Sequence, residues 1–186
     1  MFFVNIAVVF LLVGVSSAQT EQPIKCLNIT GADYDFYQGA GLWYIYASTY
    51  DPFEDALRCL THNWFYPDGD NVARVIVSGI FKKTGLLSQI EAVYTMYKPD
   101  NRLHSKSWDP LHGVLSHDLW DLEDVYDDYI VTSSCVRQGS SIVPTFTILT
   151  REPYPTTDVI GRAREIITGG LGLAEPNFFI YDTNCA

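Results

Sequence analysis

Leu42-Trp43-Tyr44-Ile45-Tyr46-Ala47-Ser48-Thr49-Tyr50 is built from aromatic, β-branched and small residues with no helical spacing. Such a run reads as a β-strand, with successive side chains on opposite faces. The same period continues down the chain. Strand-like runs cover Cys59–Tyr66, Val72–Phe81, Leu87–Tyr97, Arg102–Ser107, Gly113–Trp120, Asp128–Cys135 and Ile142–Arg151. Between them lie turn signals: Pro67-Asp68-Gly69-Asp70, Lys82-Lys83-Thr84-Gly85, Lys98-Pro99-Asp100-Asn101 and Arg137-Gln138-Gly139-Ser140. Only the connection from Tyr50 to Arg58 is long. Strands joined by such short turns form an antiparallel meander, which must close or fold over to hide its edges.

One helix follows the strands. Thr156-Thr157-Asp158 offers N-caps, Ile160, Ala163, Ile166 and Ile167 share a face, and Gly169-Gly170 ends it. A single apolar stripe places this helix on the outside of the sheet. A short strand, Phe178–Tyr181, precedes Cys185.

At the other end, Ile6–Val15 is an apolar run of signal-peptide length, with Ser16-Ser17-Ala18 at the cleavage positions. The run is too short to span the ~30 Å of a bilayer core. The expectation is a signal peptide over 1–18 and one domain over 19–186. The chain of 186 residues has 12 Lys+Arg against 22 Asp+Glu, a net charge of −10. That balance argues against a nucleic-acid partner and against a polybasic membrane patch. With 47% hydrophobic residues the chain is no disordered tail, and 14% aromatics mean an aromatic core or a ring-lined cavity.

In an exported chain four cysteines, Cys26, Cys59, Cys135 and Cys185, read as two disulfides. The spacing leaves all three pairings open. Asn28-Ile29-Thr30 is an N-glycosylation sequon. Catalytic signatures such as Gly-x-Ser-x-Gly or His-Glu-x-x-His are absent, and His104, His112 and His117 fall on different strands or turns rather than at metal-ligand spacing. The expectation is no enzyme and no metal. The acidic run from Asp118 to Asp128 reads as a solvated rim.

Tyr37-Gln38-Gly39-Ala40-Gly41-Leu42-Trp43-Tyr44 resembles the Gly-x-Trp-Tyr signature of the lipocalins, and Phe146–Arg151 resembles their closing strand motif, which ends in Ser/Thr-Arg. In Glu123-Asp124-Val125-Tyr126-Asp127-Asp128-Tyr129, the tyrosines match a third motif and Val125 replaces its Asp. The resemblance implies an all-β fold: an eight-stranded antiparallel up-and-down β-barrel with one C-terminal α-helix packed outside. It assigns Gly41, Trp43 and Arg151 to the barrel base, with the guanidinium over the indole. The layout is most similar to the arthropod branch that includes bilin-binding proteins, insecticyanin and crustacyanin subunits. That branch implies disulfides Cys26–Cys135 and Cys59–Cys185. It also implies a non-covalent ligand such as biliverdin or a carotenoid, no obligatory cofactor, and association into homodimers or heterodimers.

Alternation then sorts the strands. With Trp43 inward, so are Ile45 and Ala47; with Cys59 outward, Leu60, His62 and Trp64 face in. The same reasoning turns Val75, Val77, Tyr94, Met96, Thr132 and Thr147 inward, and places Leu115 and His117 on the inner face of the sixth strand. Phe146 and Ile148 fall under the helix. An apolar and aromatic wall with a few polar tips suits a small hydrophobic ligand, the competing reading being a filled core. The resemblance to secreted arthropod lipocalins implies two alternative roles: protein binding, as in a protease inhibitor, or sequestration of a biogenic amine. An amine binder requires an inward carboxylate, for which Glu91 (read as outward) and Asp118 are the candidates. A protein binder would use the long first loop, at Asp51-Pro52-Phe53.

Overall fold

The computed structural model describes residues 26–50, 56–67, 69, 71–109, 113–138 and 140–185. The expected signal peptide, His112 and Asp51-Pro52-Phe53 lie outside them. Eight antiparallel strands run β1 Gly41–Ser48, β2 Leu57–Trp64, β3 Val72–Phe81, β4 Leu87–Tyr97, β5 Arg102–Asp109, β6 Gly113–Val125, β7 Tyr129–Gln138 and β8 Ser141–Thr150. Each pairs with the next, and β1 pairs with both β2 and β8, so the sheet closes into an up-and-down barrel. Closure removes the free edges that an open meander would expose.

The seam is completed from the C-terminus. β9, Phe179–Ile180, pairs with Ala47 and Ser48 of β1 beyond the stretch that β2 occupies. The Cys59 amide then donates to the Asp182 carbonyl at 2.7 Å. Cys59 sits at φ +50 in an irregularity between Arg58 and Thr61. Disulfides Cys26–Cys135 and Cys59–Cys185 staple the two terminal segments to the barrel, with Cα separations of 5.8 and 5.0 Å. That pairing matches the one the resemblance implies.

The helix α1, Val159–Glu165, is followed by a wider turn at Ile166–Gly170. Asp158 caps it, its carboxylate accepting from the Gly161 amide at 2.9 Å. Val159, Ala163 and Ile167 are buried, and the first two pack on Tyr129, Val131 and Ile148 of the outer barrel wall. Arg162 on the solvent side donates to Glu123 of β6 at 2.7 and 3.0 Å and ties the helix down. No helix among the described residues is long and apolar enough to cross a membrane.

Three expectations are corrected. A bulge between Ile45 and Ala47 shifts the register of β1, so Ala47 joins the packing under the helix instead of facing inward. The sixth strand runs on through Val125, five residues past the expected end at Trp120. The acidic run is consequently not a solvated rim: Asp118 to Asp124 lie on a strand, and Asp121 is buried.

Candidate functional site

The closed end is assembled from the segment before β1 and the residue after β8. Gly41 adopts φ +101, a conformation that favours glycine, and lets the chain turn into the barrel. Trp43 is wholly buried and its indole N–H donates to the Gly39 carbonyl at 2.8 Å. The Arg151 guanidinium lies 3.7 Å from the Trp43 ring centroid. Its Nε donates to the Tyr126 carbonyl at 2.7 Å, Nη1 to Leu42 at 3.1 Å and Nη2 to Gln38 at 3.0 Å. Three segments that share no strand ladder are thereby joined by one cation. Above them Tyr34, Phe36, Trp64 and Met96 form a packed floor.

Over this floor the barrel encloses a cavity of about 440 Å³, within the range of small-molecule sites. Of the residues expected to face a ligand, Ile45, His62, Trp64 and Val77 line it, as do Tyr94, His117, Thr132 and Thr147. Leu60, Val75 and Met96 do not. Val75 and Met96 point inward as alternation requires, but at a depth where the floor is solid. Leu60 follows the irregularity at Cys59 and packs across Gly79, where a Cβ would lie 2.9 Å from its Cδ2. Leu115 also lies on the wall, whereas Glu91 is exposed. Asn28, the sequon residue, is exposed.

Burial sets the protonation of the polar tips. The His62 imidazole is pushed down to about 4 by loss of solvent, with His117 adding repulsion. His117 is lowered chiefly by burial. Both rings are neutral near pH 7 and present one donor and one acceptor each. The Tyr94 hydroxyl is raised to about 12, again by burial. Asp118 faces away from the cavity, its Oδ1 lying 2.7 Å from His104 Nδ1 and 3.3 Å from Arg102 Nη1.

Several wall residues escape the sequence reading, among them Ala92, Leu103, Ser105 and Leu119, and two others bear on the chemistry. Tyr34 comes from the coil before β1, where no period assigns a direction. Asp121 continues the inward series 115, 117, 119 on β6 and lies at the bottom of the cavity. Extending that strand by one residue would have found it. Burial and the neighbouring Asp124 hold its carboxyl well above the ordinary range. No group of three or more metal-ligating side chains occurs among the described residues.

No protein-family model and no characterised protein sequence matches the chain. Solved structures do. Lobster apocrustacyanin A1 superposes with a TM-score of 0.64 at 15% identity, covering 86% of this chain and 94% of that one. Insecticyanin from the tobacco hornworm Manduca sexta gives 0.65 at 18% identity, covering 88% and 89%. A biogenic amine-binding protein gives 0.62 at 13% identity, covering 85% and 86%. At these identities the likeness establishes the fold, which is that of the lipocalins, with arthropod proteins among its neighbours.

Proposed function

We propose that the protein is an exported lipocalin that carries or sequesters one small, mainly apolar molecule inside the barrel, acting by binding and not by catalysis. The observation that carries this reading is the cavity. A filled core would leave no room, whereas here about 440 Å³ stays open above a packed floor. Its wall is apolar and aromatic, with neutral imidazoles and hydroxyls as the polar exceptions, the composition that holds a hydrophobic body and orients its polar ends. Two disulfides that each bridge more than a hundred residues suit an oxidising, extracellular setting. Removal of residues 1–18 and a glycan on exposed Asn28 belong to the same proposal. A tetrapyrrole or carotenoid pigment is the ligand class assigned first, on the resemblance to arthropod pigment carriers.

The test is direct titration. Trp64 on the cavity wall reports occupancy by fluorescence. Delipidated protein is offered biliverdin, a carotenoid, retinol and a fatty acid. Saturable one-to-one quenching, with bound visible absorbance for a pigment, is the expected result. No quenching by any of the four would overturn the reading.

A further inference from the structure

The floor of the cavity holds a charge arrangement that a purely apolar ligand does not use. Asp121 is 2% exposed and lies on the cavity wall. Its backbone is committed, the carbonyl accepting from the Ala32 amide at 2.7 Å. Its side-chain Oδ2 accepts no hydrogen bond from any described residue. A buried carboxyl oxygen left without a partner is unfavourable, and this one belongs to a side chain of the cavity wall.

The surroundings say what would partner it. Tyr34, Trp64 and Tyr94 stand on the same wall, with Trp64 4.6 Å from Tyr94 and 5.3 Å from Tyr34 between ring centroids. Ring faces attract positive charge. The ionisable groups that act on Asp121 and its neighbours are acidic or phenolic, namely Asp124 from β6, Tyr126 just after it, Tyr34 from the N-terminal segment and Tyr94 from β4, with Arg151 acting on Tyr34 as the one cation. From β7, its cross-strand partner is Thr132, which does not titrate. His62 and His117 on the wall are neutral near pH 7. The guanidinium at the base, Arg151, is spent on three carbonyls and the Trp43 ring, while Arg102 pairs with Asp118 away from the cavity.

We propose that Asp121 anchors the buried end of the ligand by accepting a hydrogen bond from a nitrogen-borne proton, so that the barrel takes apolar molecules that lead with an N–H donor and rejects those that lead with a carboxylate. This rests on the carrier reading and narrows it. Within that reading it favours a tetrapyrrole, which has N–H groups, over a carotenoid, and it admits an apolar amine. Burial and Asp124 favour the protonated form of this carboxyl in the empty barrel. An ammonium group draws it into the ionised form, so binding of an amine releases a proton.

The experiment uses dodecylamine, dodecanol and dodecanoate, which share a chain and differ in the head, with biliverdin as the tetrapyrrole arm. Affinities are read from Trp fluorescence on the wild-type protein and on Asp121→Asn. Dodecylamine is expected to bind roughly tenfold or more tightly than dodecanoate, the scale of one hydrogen bond to a charged group. In Asp121→Asn that preference falls to about twofold or less. In the wild type, dodecylamine affinity rises with pH as the raised Asp121 carboxyl gives up its proton, and dodecanol affinity stays flat. If the Asn variant does not fold, this pH slope decides, and a flat amine profile overturns the proposal. Equal affinities for the three heads, or an undiminished preference in Asp121→Asn, overturn the anchor and leave the carrier standing. Failure of dodecanol and biliverdin alike to bind overturns the carrier and the anchor with it. Asp121 dependence for biliverdin alone assigns the donor to a pyrrole-type N–H; dependence for dodecylamine assigns it to an ammonium.

Discussion

Replacing Arg151 by Ala should open the closed end of the barrel, and the cost can be worked from the contacts. The guanidinium sits 3.7 Å above the Trp43 ring in a half-buried position, a cation–π contact of about 1–2 kcal/mol. It makes three hydrogen bonds to carbonyls at 2.7, 3.1 and 3.0 Å. Solvent reaches part of the group, so each is set at ~0.5–1 kcal/mol, at the low end of the range for such bonds. The sum is about 3–5 kcal/mol. For a domain of this size ~1 kcal/mol shifts the midpoint by ~2–4 °C, so Arg151→Ala should melt roughly 6–20 °C below the wild type with both disulfides intact. Arg151→Lys keeps the charge over the ring but cannot reach three carbonyls in three directions, and about half of the loss should remain. Urea unfolding followed by Trp fluorescence gives both values. An Arg151→Ala variant within ~1 kcal/mol of the wild type, or an Arg151→Lys variant indistinguishable from it, would refute the assignment of Arg151 as the base clamp.

Two further predictions concern the staples and the buried titratable groups. The disulfides separate residues by 109 and 126 positions, so replacing either pair by Ser should cost up to ~4–5 kcal/mol on the chain-entropy scale; urea midpoints measure it, unreduced peptide mapping checks the pairing, and a Cys26–Cys59 peptide would sink it. His62 has its folded value depressed from 6.5 to about 4, so its contribution is complete above about pH 6.5 and is lost as pH falls through about 4, up to ~3 kcal/mol. Asp124 is raised by burial to about 6, so its contribution is complete below the ordinary carboxylate range and is lost as pH rises through about 6, and Asp121 is raised in the same direction. Urea midpoints from about pH 4 to 8 should therefore fall less steeply toward acid in His62→Gln than in the wild type, and parallel curves would contradict the burial assigned to that ring.

The parts of this protein that could be read from the residues are those governed by parity. Alternation through Trp43 and Ile45 on β1, and through His62, Trp64, Val77, Tyr94, His117, Thr132 and Thr147 on later strands, depends only on the pleat, and each of these side chains is where the period puts it. Parity does not encode depth, so Val75 and Met96 were placed on the wall although the floor is solid at their level. Parity also fails wherever one residue is inserted. The bulge at Tyr46 turned Ala47 under the helix, and the irregularity at Cys59 set Leu60 against Gly79. Neither leaves a turn residue to announce it. Asp121 was hidden differently. An acidic run reads as solvated because isolated charges rarely enter a core, yet here the strand carries one carboxyl into the cavity. Tyr34 has no period at all; its place is set by tertiary contacts with Phe36, Trp64 and Tyr126.

The most direct test of the central claim is a native mass spectrum of the protein isolated from its own tissue, set beside the mass of the same sample after denaturation. The carrier reading predicts a non-covalent adduct with the mass of one small molecule, lost on denaturation, together with a denatured mass that corresponds to a chain lacking residues 1–18. A bare protein mass that stays unchanged after bilins, carotenoids, retinoids, fatty acids and apolar amines have been offered would mean that the cavity holds no ligand, and would contradict it.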